Sequence, residues 1–333
     1  MNVSAIITRA EQAFNCYIGT SISCIGVILL IISLVIFLNK QFKENFYNYI
    51  RIEVIFSILT LLFYSLRANY YCPNPQTYGS YINSVIHIIS TYFRNVFDLL
   101  AILFTILSSL ECFITVKSPS KNNLISKISY KLITAVVVVL CTLFFIYRLF
   151  EYDIKPQTHR NRTLYFLQKS NFSKSSFYAF NKTTSFAFSN GITVFILVIL
   201  NILLFLSIRK SIRNKIRIQS SIRTNAKRSN DDTLDRKNKL TRVKINHQVK
   251  LLVYGGSLNA IIARMPSLIL LVIEFELSNT YSDFRSIVVL ISLASLLISY
   301  SIKFVLFYFS NNLFRCLLNQ YVIKLYYYAF KKH

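Results

Sequence analysis

Ile25-Gly26-Val27-Ile28-Leu29-Leu30-Ile31-Ile32-Ser33-Leu34-Val35-Ile36-Phe37-Leu38 is the core of an uncharged run that reaches back to Tyr17. A helix needs about 20 mostly apolar residues to cross the hydrocarbon core of a bilayer, so this run is long enough. Six further runs share its character: Ile50–Leu66, Ile82–Leu110, Leu132–Phe150, Phe186–Ile208, Val249–Phe275 and Ile287–Phe309. The second is short and carries Glu53, which makes it the weakest of the seven. Composition points the same way, with 54% of the 333 residues hydrophobic and 15% charged. A soluble domain sits nearer roughly 45–50% apolar and 25% charged.

The formal net charge of +25 raises the question of nucleic acid. The basic residues collect between apolar runs, however, as topogenic charge and lipid contacts do, so no nucleic-acid partner is expected and membrane lipids are. Lys and Arg concentrate in alternate connections: Lys40, Lys43 and Arg51; Lys117, Lys121, Lys127 and Lys131; a dense set from Arg209 to Lys250; and Arg315, Lys324, Lys331 and Lys332. That bias places these segments inside and the N-terminus outside. Glycosylation sequons at Asn2, Asn161, Asn171 and Asn181 all fall on the resulting outer side. The first fifteen residues carry Arg9 and Glu11 and no apolar core, so the first span is expected to act as its own insertion signal.

The expected fold is an all-α integral membrane protein, a seven-transmembrane helix bundle with a C-terminal amphipathic helix on the inner leaflet. Its parts are a short outer N-terminus (1–16), the bundle (17–310) and a cytoplasmic tail (311–333). The bundle includes a second outer loop (151–185) and a basic third inner loop (209–248). Isoleucines among cations from Ser207 to Ile216 continue span five as an amphipathic helix. In the tail, apolar residues recur at helical spacing from Cys316 to Leu325, and Cys316 is a palmitoylation candidate if it is modified at all.

Six cysteines and four histidines are scattered without metal-ligand spacing, so neither a metal nor another cofactor is expected. No carboxylate pair or Ser/His pair lies in the spans to support an enzyme. Cys16 and Cys72 both fall at the outer face, where a disulfide between them is one expectation and two separate thiols the other. Ionisable residues at membrane depth are costly and face a cavity or a partner. Asp98 is read as the only acid deep in the membrane, with Arg94 at i−4 on the same helix face.

Glu111-Cys112-Phe113 followed by Pro119 closes the third span, Pro266 lies within the sixth, and Phe307-Tyr308-Phe309 precedes Phe314-Arg315 after the seventh. With seven spans and a long basic third inner loop, these residues resemble the rhodopsin-like G-protein-coupled receptors. Length and composition are similar to the divergent chemosensory and peptide-type receptors of small invertebrates. The resemblance implies a plasma-membrane receptor with an extracellular ligand, peptide or small molecule, and a heterotrimeric G-protein at the inner face. It assigns coupling and activation to Glu111, Cys112, Phe113, Pro119, Pro266, Lys303 and Phe307. By that family's packing Asp98 meets Arg264, which gives an Arg94–Asp98–Arg264 cluster. The cluster reads either as an anion-seeking pocket or as a lock between spans three and six.

The departures are specific. Cys112 stands where the family has arginine, and Arg264 where it has tryptophan. Span two lacks the family's aspartate, and Lys303 opens a stretch where Asn-Pro-x-x-Tyr is expected. Lys303 is expected to fill the place of an ion with Glu53 or Glu111 as partner, or else to snorkel inward. His87 occupies the span-three position that carries the family's bridging cysteine, and the second outer loop has no cysteine to join. His87 is therefore a pocket candidate. A seven-helix ligand-gated channel, with the opposite polarity, and a receptor that has lost G-protein coupling are the alternatives.

Overall fold

The computed structural model describes residues 12–42, 45–68, 80–117, 129–159, 162–207, 252–270 and 282–330, with residues 10, 70, 72 and 209. Eight helices and one hairpin make up this part of the chain. Helix α1 is Phe14–Phe37, α2 Asn45–Ala68, α3 Tyr81–Lys117 and α4 Tyr130–Phe144, which tightens into a 3₁₀ turn at Ile146–Phe150. Strands β1 (Tyr152–His159) and β2 (Arg162–Lys169) follow, then α5 (Ser176–Ser207), α6 (252–270), α7 (Ser282–Ser310) and α8 (Asn312–Phe330). Six of these, α1 to α5 and α7, are long and apolar enough to cross a membrane, as in a multi-pass membrane protein. Residues 249–251 and 271–275 of the expected sixth span lie outside the described residues, as do 210–250 of the basic segment.

The helices extend beyond the apolar runs, most notably at two boundaries. α3 continues through Glu111 to Lys117, so the Glu-Cys-Phe stretch is helical. α5 starts at Ser176, ten residues before the expected Phe186, because Ser175 caps it by accepting from the Tyr178 backbone N–H at 3.2 Å. The polar residues Asn181, Lys182, Thr183 and Thr184 hide that first stretch from a hydropathy reading.

Helix ends are satisfied by specific side chains. The last carbonyls of a helix lack partners and attract cations. Arg51 of α2 meets this need for α1, donating Nε to the Phe37 carbonyl at 2.8 Å and Nη2 to the Phe42 carbonyl at 2.7 Å. At the junction of α7 and α8, Asn311 accepts from the Phe314 N–H at 3.1 Å and so caps α8. Its amide also donates to the Tyr47 hydroxyl at 3.3 Å. Around this joint Phe37 packs on Phe307 and Phe314, with ring centroids 5.0 and 5.3 Å apart. Phe307 thus binds the start of α8 to the end of α1. Beyond it, Tyr321, Val322, Ile323, Tyr326, Tyr327 and Tyr328 are exposed, an apolar surface suited to lipid.

At Gly26, α1 lies close to both α2 and α7. A Cβ there would lie 2.6 Å from Ser301 Oγ and 2.8 Å from Leu61 Cδ1. Small residues let helices in a membrane pack backbone to backbone. Gly26→Leu is expected to cost about 1–3 kcal/mol by overpacking. Thermal unfolding of the detergent-solubilised protein should read this as a lower midpoint; an unchanged midpoint would mean the close approach carries no stability.

The hairpin pairs antiparallel from Tyr152↔Lys169 to His159↔Arg162. It lies at the end of the bundle where α3 begins: Ser84 Oγ donates to the Tyr165 carbonyl at 3.4 Å and Tyr81 packs edge-on to Tyr165. Its base is held by Ser170 Oγ on the Phe150 carbonyl at 2.6 Å and by the Arg148–Glu151 ion pair at 2.8 Å. Burial alone would raise the Glu151 carboxyl. The Arg148 charge and hydrogen bonds from Tyr178 and Arg148 outweigh it and hold the group below its ordinary value.

Candidate functional site

A cavity of about 330 Å³ opens between the helices toward the hairpin end. One side is polar, built from Asn15 of α1, Thr60, Tyr64 and Arg67 of α2, and Arg94, Asn95 and Asp98 of α3. The other is largely apolar, with Phe186 of α5, Leu270 of α6, and Val289, Leu290, Leu293, Leu296 and Leu297 of α7. Tyr300 closes it below. The volume falls at the small end of the range for small-molecule sites.

Its floor is a buried charged junction. Arg264, 3% exposed, donates Nη2 to Asp98 Oδ1 at 2.9 Å and Nη1 to Asn190 Oδ1 at 3.1 Å. The same guanidinium reaches the Ser189 carbonyl at 3.3 Å and the Asp98 carbonyl at 3.4 Å. Tyr300 donates its hydroxyl to Asp98 Oδ1. A buried cation requires a counter-charge and acceptors for its remaining donors, and this arrangement supplies both. The α5 acceptors come from a π turn at Ala187–Ile192, which breaks the regular ladder. Such turns are frequent at functional sites. One ion pair therefore joins α3, α5, α6 and α7.

Arg94 does not close onto Asp98 as its i, i+4 spacing suggested. Among the described residues Asp98 pairs with Arg264, and the Arg94 Nη2 instead meets Asn95 Oδ1 at 3.2 Å. The cross-helix cation is the more enclosed of the two, at 3% exposed, whereas Arg94 borders the cavity. His87 is buried beneath the hairpin, its ring 4.5 Å from Tyr70 and 6.4 Å from Tyr152, and is not among the cavity-lining residues.

A second charged pair lies one turn further along α7. Lys303 Nζ donates to Glu53 Oε1 at 2.7 Å and Ser57 Oγ at 2.9 Å, and stands 4.8 Å from the Tyr300 ring centroid. Lys303 and Glu53 are 4% and 5% exposed, so Asp98 is not the only buried acid in the bundle. Between the two pairs is a pocket of about 20 Å³ lined by Thr105, Arg264, Tyr300 and Lys303, among others. It has room for about one water molecule.

Other expected residues are dispersed. Glu111 and Cys112 are buried and Phe113 is half-buried at the far end of α3, while Pro266 is helical two residues after Arg264. Cys16 and Cys72 form a disulfide with Cα atoms 5.3 Å apart, tying the start of α1 to the segment after α2. Asn171 is exposed in a turn; Asn181 is mid-helix with its amide on the Phe177 carbonyl at 2.8 Å. Cys316 is exposed on α8. Asn2, Pro119 and Asn161 lie outside the described residues.

Tyr300, Asn190 and Ser57 were missed by sequence reasoning. Tyr300 and Lys303 are three apart on one helix face, a spacing that was available as a signal for shared surroundings. Asn190 depends on the π turn, which has no local sequence signature. No protein-family model matches the chain, and no curated protein matches it either.

Proposed function

We propose that the chain is a seven-helix plasma-membrane receptor of the G-protein-coupled kind. The helix 252–270 then serves as its sixth span, with the N-terminus, hairpin and cavity outside. The observation that carries this reading is the cavity whose floor is a single charged junction among α3, α5, α6 and α7. A ligand, small molecule or peptide segment, that perturbs Asp98 or Tyr300 changes the contacts of four helices at once. Signalling is then a shift between two packings, driven by the ligand's differential affinity for them. Pro266 removes one hydrogen bond from α6 beside Arg264 and supplies a place for that helix to bend.

Cys112 favours a second form of the same reading. It is 3% exposed and uncharged at the position where the resembled receptors carry the arginine that contacts the G-protein. Signalling without conventional G-protein coupling follows from that difference.

The test is a screen of peptides and small molecules on cells that display the protein. An N-terminal tag read on intact cells establishes polarity and surface delivery. Arrestin recruitment and a conformational reporter between the α5–α6 segment and the tail give readouts independent of a G-protein. Ligand-dependent signals are expected in at least one. A tag reached only after permeabilisation, or silence in all readouts at full surface expression, overturns the reading.

A further inference from the structure

The cavity carries charge at one end only. Asp98 already takes Arg264 and the Tyr300 hydroxyl on Oδ1, so its negative charge is spent within the floor. An amine ligand that shared Asp98 through Oδ2 would set a further cation beside Arg94 and Arg264, and one that displaced Arg264 would leave that buried guanidinium with the neutral oxygens of Ser189 and Asn190. Stranding a buried cation in this way is strongly unfavourable.

Arg94 is in the opposite position. It lies one turn from Asp98 toward the hairpin end and borders the cavity. Among the described residues its guanidinium meets the neutral Asn95 oxygen and has no carboxylate within ion-pair distance. Arg67 of α2 lines the same side. A guanidinium presents parallel N–H groups that match a carboxylate in a bidentate fork. Across the cavity the α6–α7 wall is mostly apolar (Leu270, Val289, Leu290, Leu293 and Leu296), with Ser267 and Ser292 adding neutral hydroxyls and no charged side chain. A second charge on the ligand would face that wall without compensation.

Resting on the receptor reading above, we propose that the cavity binds a small amphipathic monocarboxylate. Its headgroup lies on Arg94 and its hydrocarbon tail against the α6–α7 wall. The volume of about 330 Å³ bounds the size. It lies at the small end of the range for small-molecule sites, which suits a short or medium straight chain such as that of octanoate.

The experiment measures saturation binding of radiolabelled octanoate to the full-length protein in nanodiscs, with binding to empty nanodiscs subtracted. The expected result is one saturable site, displaced by unlabelled octanoate but not by octan-1-ol or octylamine at the same concentrations. Arg94→Gln is expected to weaken octanoate about tenfold or more, the loss of a charged hydrogen-bonding partner, and Arg94→Lys by less. Leu293→Phe fills the tail space, leaves the Arg94 end intact, and should weaken octanoate as well. It keeps the proposal testable if Arg94→Gln fails to fold. No saturable octanoate binding, equal displacement by octylamine or octan-1-ol, or wild-type affinity in Arg94→Gln would overturn it. Arg94-dependent octanoate binding without any conformational signal supports the pocket chemistry and counts against the receptor reading. A signal from another ligand, with octanoate unbound, does the reverse.

Discussion

Asp98→Ala is expected to lower the stability of the folded protein by about 3–5 kcal/mol, the usual consequence of removing one partner from a buried pair. The change leaves the Arg264 guanidinium buried with only the Asn190 side-chain oxygen and backbone carbonyls as acceptors. It also deprives the Tyr300 hydroxyl of its acceptor. The readouts are the monodisperse fraction after solubilisation and the apparent melting midpoint. Asp98→Leu combined with Arg264→Met removes both charges and should recover much of the loss, since an apolar pair of similar volume avoids the desolvation cost. Surface expression of the double variant without any ligand response would separate the two roles of the junction, stability and signalling. A midpoint for Asp98→Ala equal to that of the wild type would mean that the ion pair does not hold α3 to α6.

The sequence makes the apolar helices legible and leaves their partners obscure, for a physical reason. Hydropathy is a sum along the chain, so six long runs stand out whatever they pack against. The run Val249–Phe275 is equally legible in the sequence, though only 252–270 of it falls among the described residues. Charged residues at membrane depth announce that a partner is needed, and Asp98, Arg264 and Lys303 were all visible on that ground. Which partner each finds depends on tertiary packing. Spacing pairs Arg94 with Asp98 and the family resemblance adds Arg264; of the two, the structure joins Arg264 to Asp98. The hairpin was similarly hidden. Pro156 within β1 lowers its strand character in the sequence, and Tyr152 and Tyr165 have aromatic partners on α3 that spacing does not reveal.

The two charged pairs also form a physical series. Tyr300 bonds Asp98 through its hydroxyl and faces the Lys303 ammonium with its ring. Lys303 in turn holds Glu53 and Ser57 on α2. The cavity floor and the far half of the bundle are therefore connected through one tyrosine. Spatial continuity alone does not establish energetic coupling; a coupling energy measured between the two ends does.

Lys303→Met should accordingly be the second large effect, again about 3–5 kcal/mol, because it strands the buried Glu53 carboxylate without its counter-charge. Lys303→Arg is not a conservative replacement here: the adjoining pocket of about 20 Å³ has no space for a planar guanidinium. Lys303→Met with Glu53→Leu should be markedly more stable than Lys303→Met alone, since the stranded charge is gone. The comparison is a double-mutant cycle on melting midpoints, in which simple additivity would show that the two side chains do not act as a pair. The same cycle run between Tyr300→Phe and Lys303→Met tests the longer series. Tyr300→Phe keeps the ring over the ammonium and removes only the hydroxyl on Asp98, so a non-additive result there means the two ion pairs feel each other. Independent effects would confine any ligand-induced change at Asp98 to the cavity floor, and a route to the far side would then have to run through the bend of α6 at Pro266.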